Sequence, residues 1–304
     1  MRNRTILSLI ITLSICFSAS AQNNISELRQ LLDSTRRERN DSTRIALNSQ
    51  FKKLLLDYIQ KRDFIPDSLN SLTIGRTTSP DNFYIFYNWN IQQNKGNNIY
   101  SAIIYLPSSG KTIVLPDKGS ELKLSQDSVY SSNDWPAALY YKIIPPRDKK
   151  SKYYLMLGWD RFEPQTSRKV IEAVTFTGDS VVIFGKEVFK TKEGRANRVV
   201  VEYASSASLT LQYSKQKLTL SGVRKSQSKI NDSIIVVDRL IPLNPELEGQ
   251  YWAYVPAGNT YDGYIYFKDF WTFVEGINAR NPALKNDERK RIKKPELDLF
   301  PGNR

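Results

Sequence analysis

The 304-residue chain has no histidine and a single cysteine, Cys16. Without an imidazole there is no Ser-His-Asp or Cys-His nucleophile pair and no histidine general base. The usual zinc, copper and haem ligand sets are missing for the same reason, so no metal and no cofactor is expected. No side chain has an ordinary pKa that switches its charge near neutrality. Any catalysis must rest on carboxylates, lysine, tyrosine or a Ser/Thr–Lys pair. Long hydrophobic runs are also lacking. The longest, Ile6 to Phe17, is too short to span a bilayer comfortably, so no transmembrane span is expected in the mature chain.

That run has a different reading. Arg2 and Arg4 precede it, and Ala19-Ser20-Ala21 follows with small residues at −3 and −1 of a cleavage site. A signal peptide over 1–21 is predicted, with Gln22 as the mature N-terminus. Ile15 stands where a lipoprotein needs a small residue, so Cys16 belongs to the discarded leader. The expected address is periplasmic or outer-membrane-associated. The net charge is +13, and losing the leader removes two arginines and no acid, leaving +11. Such a charge suits nucleic acid, an anionic surface or an acidic glycan, or it is simply solvated. Export argues against nucleic acid.

Residues 22–66 read as an α-helical hairpin. Ile25, Leu28, Leu31 and Leu32 recur at helical spacing; after a polar break, Leu47, Phe51, Leu54 and Tyr58 continue it. This second stripe must be covered, either by the protein's own sheet or by a partner. From 67 to 282 the period falls to two. Phe83, Ile85, Tyr87, Trp89 and Ile91 alternate with more polar neighbours, and Asn94-Lys95-Gly96-Asn97 marks a hairpin turn. Further strands are expected at 111–115, 138–144, 153–159, 170–176, 181–184, 198–203, 208–213, 233–238, 250–254, 264–267 and 271–275. The run 153–159 is apolar on both faces and belongs in the middle of a sheet. The fold class is therefore mainly β, an antiparallel sandwich or barrel-like meander, behind a helical hairpin. Residues 283–304 form a charged tail, whose six basic residues between Lys285 and Lys294 suit an anionic surface.

Seventeen tyrosines and five tryptophans are present. Trp159-Asp160 closes the central strand, Tyr261-Asp262-Gly263 marks a turn, and Trp252 and Trp271 lie nearby in sequence. Rings with carboxylates at a sheet end suit a glycan or peptide ligand, although both residue types are also ordinary in strands and turns. Asp160, Glu163, Glu202, Asp238, Asp262 and Asp269 are the acids from which a hydrolytic pair would be drawn, but no spacing brings two of them together. Arg198, Val200 and Glu202 share a face of a strand that reads as half-exposed. Ser49–Lys52 and Ser226–Lys229 are Ser-x-x-Lys tetrads without the Lys-Thr-Gly that accompanies the catalytic one. No residue is assigned a catalytic role.

Several blocks resemble a family of uncharacterised secreted proteins of the Bacteroidota. They include Ser79-Pro80-Asp81 with Tyr87-Asn88-Trp89-Asn90, the run from Trp135 to Pro145, and Tyr153 to Asp160. Arg198 to Tyr203, Leu247-Glu248-Gly249-Gln250, Tyr261-Asp262-Gly263 and Ala279-Arg280-Asn281-Pro282 continue the succession. The resemblance implies an exported protein and assigns no activity, cofactor or site residue. The expectation is an envelope protein acting by binding or structural association with an envelope protein or glycan. The alternative is a carboxylate-dependent hydrolase of envelope glycan or peptide.

Overall fold

The computed structural model describes residues 24–279 except 117, 119–123, 149, 162 and 220–228. The leader at 1–21, Ser226, and the tail at 283–304 with its basic run lie outside the described residues. Helix α1 occupies residues 24–37, and α2 runs from Asp41–Ile59. Between them Glu38 accepts the N–H groups of Arg39 and Asn40, and the Asn40 side chain caps α2 by accepting from Thr43 N–H at 3.0 Å.

Among the described residues the strands form three sheets and make up 47% of those residues, and no sheet closes into a barrel. The first is an antiparallel meander in chain order: β1 (Gly75–Thr78), β2 (Ile85–Gln92), β3 (Asn98–Leu106) and β4 (Lys111–Leu115). Its β2–β3 turn closes where Gln93 N–H meets Asn97 O at 2.7 Å, and Gly96 supplies the left-handed φ of 91°. The second sheet comprises β5 (Tyr130–Ser131), β6 (Leu139–Ile144), β7 (Tyr154–Asp160), β8 (Thr166–Thr177) and β9 (Val181–Phe184), in the order β5-β9-β8-β7-β6. A further strand, β12 (Arg198–Ala204), pairs with residues 166–172 of β8, the stretch that β9 leaves free on the edge opposite β7. The third sheet uses β10 (Phe189–Lys190), β11 (Arg195–Ala196), β13 (Leu211–Thr219), β14 (Lys229–Pro242), β15 (Tyr254–Phe267) and β16 (Phe270–Ile277). Its order is β11-β10-β16-β15-β14-β13, antiparallel except between β10 and β16.

The sheets stack in chain order, with the second in the middle. Alternation along each strand sends side chains to two different cores. Phe86 and Ile104 of the first sheet meet Met156, Val174 and Phe184 of the second. On the other face of that second sheet, Leu155, Leu157, Ile171 and Ala173 meet Val237, Tyr264 and Trp271 of the third. The middle sheet is thus apolar on both faces, as the 153–159 run requires.

The helical hairpin covers the outer face of the first sheet, so its stripe is spent within the fold. Leu28, Leu32, Phe51, Leu55 and Ile59 pack on Ile85, Tyr87, Trp89 and Ile103. Each such burial stabilises by about 1.5–3 kcal/mol. The centre of the α2 face differs from the expected one: Phe51 and Tyr58 are buried, but Leu47 and Leu54 lie on its flanks, and Asn48 and Leu55 replace them. Asn48 is tolerated there because it is satisfied. Its Oδ1 accepts from Trp89 Nε1 at 2.7 Å, and its Nδ2 donates to Ser101 Oγ at 3.3 Å. Two other expectations change. Residues 250–254 hold a 3₁₀ turn, Tyr251–Ala253, in place of a strand. Arg198 is fully buried where a half-exposed face was expected.

Candidate ligand-binding groove

Among the described residues the buried acids are Asp160, Glu172 and Asp262, and each is paired with an arginine. Asp160 of β7 stands opposite Arg168 of β8, and Arg168 Nε donates to it at 2.9 Å. Glu172 of β8 stands opposite Arg198 of β12, with Arg198 Nε donating at 2.9 Å. Burial pushes both carboxyls up, against the pull of these arginines. Asp262 accepts from Arg239 Nη2 at 2.7 Å and from Gly276 N–H at 2.9 Å.

These acids do not form a hydrolytic couple. Arg168, opposite Asp160, lies four strand positions from Glu172, about 13 Å along the sheet, whereas paired glycosidic carboxylates stand about 5–9.5 Å apart. Asp238 accepts from Thr210 N–H at 2.7 Å, Glu163 and Asp269 are exposed, and Glu202 is half-buried. Ser49 of the first Ser-x-x-Lys tetrad donates to Ile45 O at 3.0 Å on α2. Among the described residues, no three acid or cysteine side chains converge as a metal site would need.

The predicted aromatic residues are dispersed. Trp271 is sealed in the core between the second and third sheets, against Tyr213 and Tyr266. Trp252 is 46% exposed on the 3₁₀ turn, and Tyr261 packs in a separate cluster with Ile234 and Val236. Trp159 lines a groove. Its neighbour Asp160 faces Arg168 instead.

That site is a groove of about 430 Å³. It lies where two sheet edges meet: β1 borders the first sheet and β6 borders the second. An edge strand presents unpaired backbone groups, and here one buried amide satisfies those of Tyr140. Asn88 Nδ2 donates to Tyr140 O at 3.2 Å, and Asn88 Oδ1 accepts from Tyr140 N–H at 2.8 Å. Gly75 sits opposite Asn88 on β1, where a Cβ would come within 2.7 Å of Asn88 Nδ2. Glycine therefore leaves Asn88 the room it needs. Thr77 Oγ1 adds a donation to Tyr140 O at 3.4 Å.

Arg36 enters the groove from the end of α1, held by Thr73 O at 2.5 Å and by the Thr73 hydroxyl. Arg76 enters from β1 and donates to Asp67 at 2.8 Å and to Asn70 at 2.5 Å. Arg76 Nε is buried without a partner. Trp159 and Tyr141 form the aromatic side. Trp159 Nε1 donates to Tyr203 Oη at 3.1 Å, and the Tyr141 hydroxyl donates to Leu211 O at 2.9 Å, so both rings are fixed. Lys169 lies 4.9 Å from the Tyr141 ring, and desolvation depresses its pKa. No carboxylate is among the lining residues.

Sequence reasoning missed Arg36, Arg76 and Tyr141. Their one common signal, a cation or ring beside a turn or strand end, occurs too often in this chain to single them out. No family model, curated protein or solved structure matches this chain.

Proposed function

We propose that the chain is a non-catalytic binding protein of the bacterial cell envelope, acting by association with an envelope glycan or protein. One observation carries this reading: the groove between β1 and β6 has guanidinium, amide and aromatic walls without a carboxylate, while the buried acids among the described residues are spent on arginines of the fold. A hydrolase of glycan or peptide in a chain without histidine needs the opposite arrangement. The address rests on Arg2, Arg4, the apolar run to Phe17 and Ala19-Ser20-Ala21.

The test has two arms. Intact-mass measurement of the protein from native envelopes is expected to give a chain starting at Gln22 without lipid; a diacylated Cys16 or a retained leader refutes the address. The mature chain, incubated with envelope glycan and peptide fractions, is expected to retain material without releasing product. Product formation that disappears in Asp262→Asn, with the unfolding midpoint unchanged, overturns the binding reading in favour of the hydrolase.

A further inference from the structure

We propose that the groove between β1 and β6 binds a carboxylate-bearing saccharide. This rests on the binding reading above and names its ligand. The volume, about 430 Å³, lies in the range of small-ligand sites, about 300–1,000 Å³.

Charge sets the first requirement. Arg36 and Arg76 line one cavity that has no acid in its wall, and a guanidinium edge matches the planar fork of a carboxylate. Asp67 at the surface already neutralises Arg76 in part, while among the described residues Arg36 is held by neutral Thr73. The surplus is close to one positive charge, which suits a monoanion better than a phosphate dianion.

Shape and polarity set the second. The rings of Trp159 and Tyr141 are pinned by hydrogen bonds at their polar ends, leaving fixed apolar surfaces. The C–H face of a sugar ring lies well against such a surface at little entropic cost. Hydroxyl-bearing ligands also find Asn90 and Thr73 on the walls. A simple carboxylic acid would use the arginines and leave the rings bare; a neutral sugar would do the reverse. An acidic sugar uses both.

The experiment is calorimetric titration of the mature chain with galacturonate, with its methyl ester as the uncharged counterpart, and with inorganic phosphate. The acid is expected to bind about tenfold or more tightly than the ester, the difference made by one charge-assisted hydrogen bond. Arg36→Gln changes an exposed side chain and is expected to weaken the acid by a similar factor at an unchanged unfolding midpoint. Trp159→Leu should weaken acid and ester together. Equal binding of acid and ester, tighter binding of phosphate, or an acid affinity untouched by Arg36→Gln and Trp159→Leu overturns the proposal. If the acid fails to bind while the wild-type chain still retains envelope material, only the ligand assignment falls. If neither binds, the reading of the protein as a binder falls with it.

Discussion

Replacing Arg198 by methionine tests the pair at the centre of the middle sheet. Arg198 and Glu172 are both 0% exposed, and the guanidinium also donates to Ser125 O, to Ser128 O at 2.7 Å and to Phe184 O at 3.2 Å. It thereby ties the 125–128 segment to the sheet. Methionine keeps much of the volume but strands the Glu172 carboxylate, a loss of about 3–5 kcal/mol for a broken buried pair. The three carbonyls lose about 1 kcal/mol each in addition. Removing the glutamate as well reverses most of the first term, because an apolar pair of similar size carries no desolvated charge. Arg198→Met/Glu172→Met is therefore expected to be more stable than Arg198→Met alone, although it departs further from the native sequence. Urea unfolding, read at the midpoint with the slope checked for constancy, measures all corners of the cycle. Additivity of the two single losses within about 0.5 kcal/mol refutes the coupling, and with it the claim that this pair joins β8 to β12.

The other expectations concern packing. Leu157→Ala empties a site in the core between the second and third sheets and should cost about 2–5 kcal/mol in urea unfolding; a loss below about 0.5 kcal/mol would place β7 at an edge. Phe51→Ala should cost about 3–5 kcal/mol, since the ring meets Trp89 edge-on at 5.2 Å, and a negligible change would mean that the hairpin is not docked. Gly158→Ala places a Cβ 2.8 Å from the Tyr140 ring and should cost about 1–3 kcal/mol by overpacking; thermal melting unchanged from wild type would show that β6 yields freely there.

The fold was more legible than the site. Period-two alternation in Phe83 to Ile91 located β2, and the unbroken apolar run 153–159 marked a strand covered on both sides, because those patterns are set by local geometry. The α2 face was misplaced by a residue at two positions. Asn48 looks polar on paper, but its amide is matched by Trp89 and Ser101, partners 41 and 53 residues away. Arg198 misled for the same reason, since its alternation with Val199 is normal for an exposed strand and only Glu172 makes its burial tolerable. Of the groove, Trp159 alone was read in advance. The groove joins Arg36, Arg76, Tyr141 and Trp159 from one helix end and three strands, and no spacing rule links them.

The stacking order has a kinetic consequence. The helix-covered core draws on residues between 25 and 105, the next between 83 and 184, and the one beyond that between 144 and 273. Each core overlaps only its neighbours in the chain, so a lengthening polypeptide can close the first before its C-terminal half exists and the others in turn. Loop closure is then met in modest instalments, which keeps the barrier below that of a β-protein whose first and last strands must pair. A chain that emerges N-terminus first therefore shields its helical hairpin and first meander before the third sheet exists.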